Sequence, residues 1–236
     1  MTRADGRAPG DLRPVVLERN ANPFAEGSCL ARFGGTLVHC TASVEAGVPP
    51  FKKGTGEGWV TAEYAMLPRA TAERTNRERN GPGGRSQEIQ RLIGRSLRTA
   101  IADWSFGEYT IRIDCDVLMA DGGTRTTAIT GAAVALADAC DWLSRRTGTP
   151  SPFGQLVAAV SVGIVGGRVM TDLAYAEDRD AHVDANVVMR EPADLVEVQG
   201  TGEQGVFSRD TLNEILDHAE RGINTLFRAQ RTVLGW

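Results

Sequence analysis

The amino-acid sequence predicts an α+β fold in which mixed sheets pack against helices. Runs of apolar–polar alternation at period 2 recur along the chain, and three longer segments carry apolar residues at helical spacing. The strand runs come in closely spaced pairs, as hairpins do, rather than in strict βαβ units. No GxGxxG follows a strand, which argues against a doubly wound dinucleotide fold.

Taken in order, residues 13–20 read as a strand. Residues 27–33 and 36–45 form a hairpin around Gly34-Gly35. Residues 59–67 make a further strand, closed by Pro68. A polar stretch from Arg69 to Gly84 follows, ending in Gly81-Pro82-Gly83-Gly84. Compact domains seldom keep so long a structureless loop unless it binds something or is disordered. An amphipathic helix comes next, with Ile89, Leu92, Ile93, Leu97, Ile101 and Trp104 on one face. Ser86 is its expected N-cap, and Glu88 stands in its first turn.

Residues 109–119 alternate as a half-buried strand, and residues 128–143 form a long apolar helix. After Thr147-Gly148-Thr149-Pro150, the best internal boundary, residues 156–165 and 168–176 are expected as strands hinged at Gly166-Gly167. A second strand pair spans 183–190 and 194–199. The last helix starts near Ser208 and carries Leu212, Ile215, Leu216, Ala219, Ile223, Leu226 and Phe227 on one side.

Composition removes several function classes. A chain of 236 residues with 42% hydrophobic content can bury a sizeable core. Its longest apolar stretch, residues 156–165, is far too short to span a bilayer. Residues 1–14 are charged and lack an apolar signal core. Cys29, Cys40, Cys115 and Cys140 stand far apart without CxxC spacing, so they read as reduced thiols of a cytoplasmic protein. The net charge is −4, yet between Arg69 and Arg98 eight arginines face three acids. Such a basic concentration on an acidic protein points to a polyanion docking at one place. For Arg91, Arg95 and Arg98, a solvated helix face is an equal reading.

Three constellations carry chemistry. The first is Asp121-Gly122-Gly123-Thr124-Arg125-Thr126-Thr127, set between a strand and a helix. Glycines let backbone N–H groups approach an oxyanion, and a helix start adds unpaired donors and partial positive charge. Arg125 can add a planar two-pronged grip. No GK[ST] follows, so this is not a nucleotide P-loop. The second is Arg85, which repeats the same logic after Gly83-Gly84. The third runs from Asp172 to Asp184, with five carboxylates in thirteen residues. Hard oxygen ligands suit Mg²⁺, and a carboxylate beside a phosphate can move a proton. A solvated acidic turn is the alternative on the pattern alone.

Several ordered strings resemble the bacterial ribonuclease PH family. They are residues 58–69 (GWVTAEYAMLPR), 83–91 (GGRSQEIQR), 114–127 (DCDVLMADGGTRTT), 178–189 with Asp178 and Asp184, and 197–201 (EVQGT). The likeness extends from about Arg13 to the last helix. It implies an α+β ribonuclease PH fold related to the second domain of ribosomal protein S5. One domain would then span 1–236, with halves at about 10–146 and 155–228. It implies a phosphorolytic 3′→5′ exoribonuclease of tRNA precursors that releases nucleoside diphosphates, can run in reverse, and assembles as a hexameric ring, a trimer of dimers.

By position, the resemblance makes Arg85, Gly123, Thr124 and Arg125 the phosphate site, and Asp178 and Asp184 the catalytic carboxylates associated with Mg²⁺. Arg69, Arg74, Arg77 and Arg79 are expected to hold the RNA through its phosphates. His39 and His218 fall in strand and helix patterns and are read as structural. Two rivals differ in class. A non-catalytic RNA-binding ring subunit should have lost one of Arg85, Arg125, Asp178 or Asp184, and this chain keeps all four. A small-molecule kinase would need its own glycine-rich ATP loop, and none is found.

Overall fold

A computed structural model of the chain describes residues 3–236. Nine strands and four helices alternate as β1 (Val15–Arg19), β2 (Gly27–Phe33), β3 (Thr36–Ala46), β4 (Trp59–Met66), α1 (Gly84–Arg98), β5 (Tyr109–Met119), α2 (Thr124–Thr147), β6 (Val157–Val165), β7 (Arg168–Thr171), α3 (Tyr175–Arg179), β8 (Val183–Arg190), β9 (Asp194–Gly202) and α4 (Arg209–Leu234). They build a five-stranded sheet, ordered β1-β2-β3-β5-β4, and a four-stranded sheet, ordered β7-β6-β8-β9. Only the β4–β5 pairing is parallel. The fold is therefore α+β with mixed sheets, as the hairpin-rich spacing predicts.

Helix α2 forms the central layer. It packs on β2, β3 and β5 of one sheet and on β6 of the other. A helix apolar all round belongs in a core, and Ala128 through Cys140 are buried without a break. Alanine and glycine let both sheets close in. A Cβ on Gly27 would lie 2.0 Å from the Ala135 carbonyl oxygen, and one on Gly131 would lie 2.6 Å from the Ala31 Cβ. Helix α1 covers β4, and α4 covers β6, β1 and β7. One continuous apolar cluster takes residues from both halves of the chain, from Cys29 to Leu234.

The structure departs from the sequence-based boundaries in several places. Helix α1 begins at Gly84 with Gly83 as its cap. Ser86 is instead a buried residue inside it, donating to Glu78 at 3.0 Å. The same helix ends at Arg98; Ile101 is buried through a bridge to Phe153, and Trp104 lies against Trp59 at 6.3 Å. Helix α2 starts four residues before Ala128, because the Thr126 and Thr127 hydroxyls both bond the Gly123 carbonyl at 2.9 Å. Strand β7 stops at Thr171, where Asp172 takes φ +55°, and of the residues expected to extend it 172–174 form a bend while Tyr175 and Ala176 open α3. A left-handed residue cannot continue a pleated ladder.

The approach of β2 to α2 generates the first prediction. At Gly27 a methyl group would meet backbone atoms that cannot rotate away. Gly27→Ala should lose about 1–3 kcal/mol of unfolding free energy in urea. Wild-type stability would show that α2 and β2 have room to part.

Candidate active site

The Asp121–Thr127 run forms a sharp turn between β5 and α2, in which Gly122 and Gly123 take φ +78° and +64°. Side chains at both positions would be strained, and a Cβ on Gly122 would also sit 2.5 Å from the Leu173 carbonyl oxygen. The turn is held by neighbours far away in sequence. Thr36 donates to the Gly122 carbonyl at 2.6 Å and accepts from the Asp121 N–H at 2.9 Å. Arg13, only 4% exposed, donates to the Asp121 carbonyl and grips Asp172 through Nε at 3.0 Å and a terminal nitrogen at 2.6 Å. Gly123 caps α2 without any side-chain acceptor. The first N–H groups of the helix therefore remain available as donors.

These donors open into a cavity of about 230 Å³. Arg85, Gly123, Thr124, Arg125, Asp178 and Asp184 all line it. Four separate elements, α1, α2, α3 and β8, thus bring every phosphate and carboxylate residue expected from the sequence to one place. Thr124 is buried, with its hydroxyl 2.8 Å from that of Tyr64. Arg125 is partly held by Gln199 at 3.1 Å and Glu88 at 3.4 Å. Among the described residues Arg85 makes no ion pair, so its charge is free for a ligand.

The carboxylates arrive from the other sheet. Asp184 and Asn186 lie two residues apart on β8 and both line the cavity, as alternation on a strand requires. Asp178 is carried by α3. Burial raises the carboxyl of Asp178 above its ordinary range, against the pull of Arg85 and Arg125. Burial, and then the charge of Asp178, push Asp184 up to about 6. Two half-buried acids that repel each other beside two arginines form an open donor set. Mg²⁺ typically takes one or two carboxylates and keeps several waters, and this pair fits that habit. Among the described residues no three His, Cys, Asp or Glu side chains close into a cage.

The remaining assignments fall outside the cavity. Arg69, Arg74, Arg77 and Arg79 are exposed on the 69–84 loop, and none lines the site. The loop's root does reach it: Thr71 is part of the wall, and the Ala120 N–H donates to the Ala70 carbonyl at 2.8 Å. His218 bonds the Thr171 hydroxyl at 3.0 Å, away from the cavity. All four cysteines are free and buried. No helix among the described residues is long and apolar enough to cross a membrane.

Sequence reasoning missed Arg13, Ser161, Asn186 and Tyr175, and it counted Asp172 in the acidic run without its pairing to Arg13. The Ser161 hydroxyl accepts from the Leu173 N–H at 3.1 Å, and its carbonyl accepts from the Asp172 N–H at 2.6 Å, fixing the approach to α3. Tyr175 stands 59% exposed in the cavity wall. Only Asn186 carried a signal, its period-2 spacing from Asp184.

A carboxyl raised on folding binds its proton more tightly in the native state. Its stabilisation is complete below the unfolded value near pH 4 and is lost as pH rises through about 6. In metal-free buffer Asp184→Asn should therefore exceed wild type by about 1–2 kcal/mol near pH 8, allowing for partial solvent screening. The difference should vanish near pH 4. Urea unfolding at both pH values checks this, and a gap that persists at low pH would contradict it.

Comparison with known proteins places this geometry. Residues 11–140 match the model for domain 1 of the 3′ exoribonuclease family, and residues 155–222 match domain 2. The chain is 56% identical to Ribonuclease PH of Corynebacterium glutamicum over 237 aligned positions, covering 99% of this chain and 97% of that protein. It is also 56% identical to Ribonuclease PH of Mycolicibacterium smegmatis, covering 98% and 91%. The Archaeoglobus fulgidus exosome with RNA bound to the active site has the same fold, with TM-score 0.80, 22% identity and coverage of 99% and 92%. An archaeal exosome core superposes with TM-score 0.76 and 21% identity, covering 99% and 91%. With both domain models matched in order across nearly its whole length, the chain belongs to the 3′ exoribonuclease family.

Proposed function

We propose that this protein is a phosphorolytic 3′→5′ exoribonuclease that trims 3′ extensions of tRNA precursors. Inorganic phosphate would be the attacking group, nucleoside diphosphates the products, and nucleotide addition the reverse reaction. One observation carries the reading: two arginines, a glycine turn at a helix start and two acids share one cavity of about 230 Å³. The 56% identity to Ribonuclease PH supports the same reaction class.

Phosphate and the phosphodiester it attacks are both anions. Arg85, Arg125 and the donors at Gly123 and Thr124 would neutralise the phosphate and aim one of its oxygens. The glycine turn is what admits the anion against bare backbone. Asp178 and Asp184 would hold Mg²⁺, which when bound offsets negative charge on the scissile phosphate. A carboxyl near 6 can exchange a proton close to neutrality, so Asp184 suits transfer to the leaving 3′-oxygen.

Arg69, Arg74, Arg77 and Arg79 would grip the RNA body through phosphates, leaving only its 3′ end in the cavity. The chain would assemble as a homo-oligomeric ring, hexameric as a trimer of dimers; the fold it shares with exosome chains supports assembly into an oligomer. Cytoplasmic residence suits the four free thiols.

The test incubates the protein with 3′-extended tRNA and Mg²⁺, with and without phosphate. Phosphate-dependent diphosphates are expected; monophosphates would mean hydrolysis, and no product would favour a binding subunit. Arg125→Ala should lose about 2–3 kcal/mol of phosphate-dependent transition-state stabilisation, the scale of a charge-assisted contact. Near-normal turnover would remove Arg125 from the phosphate site. Replacing Arg69, Arg74, Arg77 and Arg79 together with alanine should weaken tRNA binding and flatten its salt dependence. An unchanged slope would move the RNA path elsewhere.

A further inference from the structure

Helix α3 carries Asp178 but has only five residues, Tyr175–Arg179. A single turn of helix has no stability of its own in water. Its place must come from contacts outside it, and the strongest come from the segment 3–11. Arg3 is 5% exposed despite its charge. Its Nε and one terminal nitrogen form a two-pronged pair with Glu177 at 2.7 and 2.6 Å. The other terminal nitrogen donates to the Thr171 carbonyl at 2.7 Å, and the one that meets Glu177 also donates to the Asp172 carbonyl at 2.9 Å. One side chain therefore ties the end of β7 to the residue next to Asp178. Arg7 repeats the contact more loosely, reaching the Asp172 carbonyl at 3.0 Å and Glu177 at 3.5 Å. Glu177 also accepts the Ala174 N–H at 2.9 Å, closing the first turn of α3.

We propose that Arg3 is a positioning residue for the metal site: its pair with Glu177 straps α3 down so that Asp178 faces Asp184 across the cavity. This inference rests on the Mg²⁺ reading above. Arg3 touches neither the cavity wall nor its ligands, so its effect reaches the metal through Glu177 and the helix. Arg85 and Arg125 sit on α1 and α2, and Arg3 makes no hydrogen bond to either. Loss of Arg3 should thus weaken Mg²⁺ and leave phosphate alone. Groups that orient metal ligands from outside commonly change affinity 10- to 100-fold when removed.

The test measures Mg²⁺ binding by calorimetry and KM for phosphate at saturating Mg²⁺, using the full chain. Arg3→Met should weaken Mg²⁺ about tenfold while KM for phosphate stays within about twofold. Arg3→Lys, which keeps the charge but not the fork, and Glu177→Gln should give smaller shifts in the same direction. These two variants also carry the test if Arg3→Met does not fold. Mg²⁺ affinity unchanged in the folded variants overturns the strap, even if their melting temperatures fall. A parallel rise in KM for phosphate would equally show a general loosening. Wild-type protein that binds no Mg²⁺ would defeat the metal reading itself, a different failure.

Discussion

Arg13 and Asp172 meet where the two halves of the chain join, and the pair is almost wholly removed from water, with side chains 4% and 1% exposed. Two buried charges are costly unless their remaining bonding positions are filled. Here they are. The guanidinium also donates to the carbonyls of Asp121 and Gly122, and the carboxylate also accepts the Arg13 backbone N–H at 2.7 Å. The pair therefore does more than join two segments. It fixes the carbonyls of the glycine turn on one side and the residue that begins the path to α3 on the other. Removing either partner would leave a buried charge uncompensated and free both halves of the cavity at once.

From this junction the chemistry follows as a matter of placement. The first half of the chain supplies the positive wall, Arg85 and the start of α2; the second supplies the negative wall, Asp178 and Asp184. Neither half holds a complete site. The acids repel each other, and burial penalises their charge, while the arginines opposite favour it. A cavity poised in this way suits a divalent cation between the acids and an anion beside the arginines. A P-loop cradles a leaving group; on the proposed reaction this turn would hold an attacking one.

Much of this was legible in the sequence because its signals are local. Asp121–Thr127 announces itself by glycines and hydroxyls in one short run, and the period-2 and helical patterns locate most strands and helices. The errors share a cause. Ile101 and Trp104 keep helical spacing, but tertiary contacts with Phe153 and Trp59 bury them outside α1. Leu173-Ala174-Tyr175 has the composition of a strand, and only the left-handed turn at Asp172 diverts it. The pairings of Arg3 with Glu177 and of Arg13 with Asp172 were invisible because they span more than 150 residues. A charged residue near the start of a chain looks like solvent-exposed chain until its partner is placed.

On the proposed reaction, the anion seated on the glycine turn becomes part of the product. Following radiolabelled inorganic phosphate through one round of trimming tests it directly. Label in the terminal phosphoryl group of the released nucleoside diphosphate, lost when Arg85 and Arg125 are both replaced by alanine, is the result expected. Unlabelled nucleoside monophosphates released at the same rate with or without phosphate would contradict it.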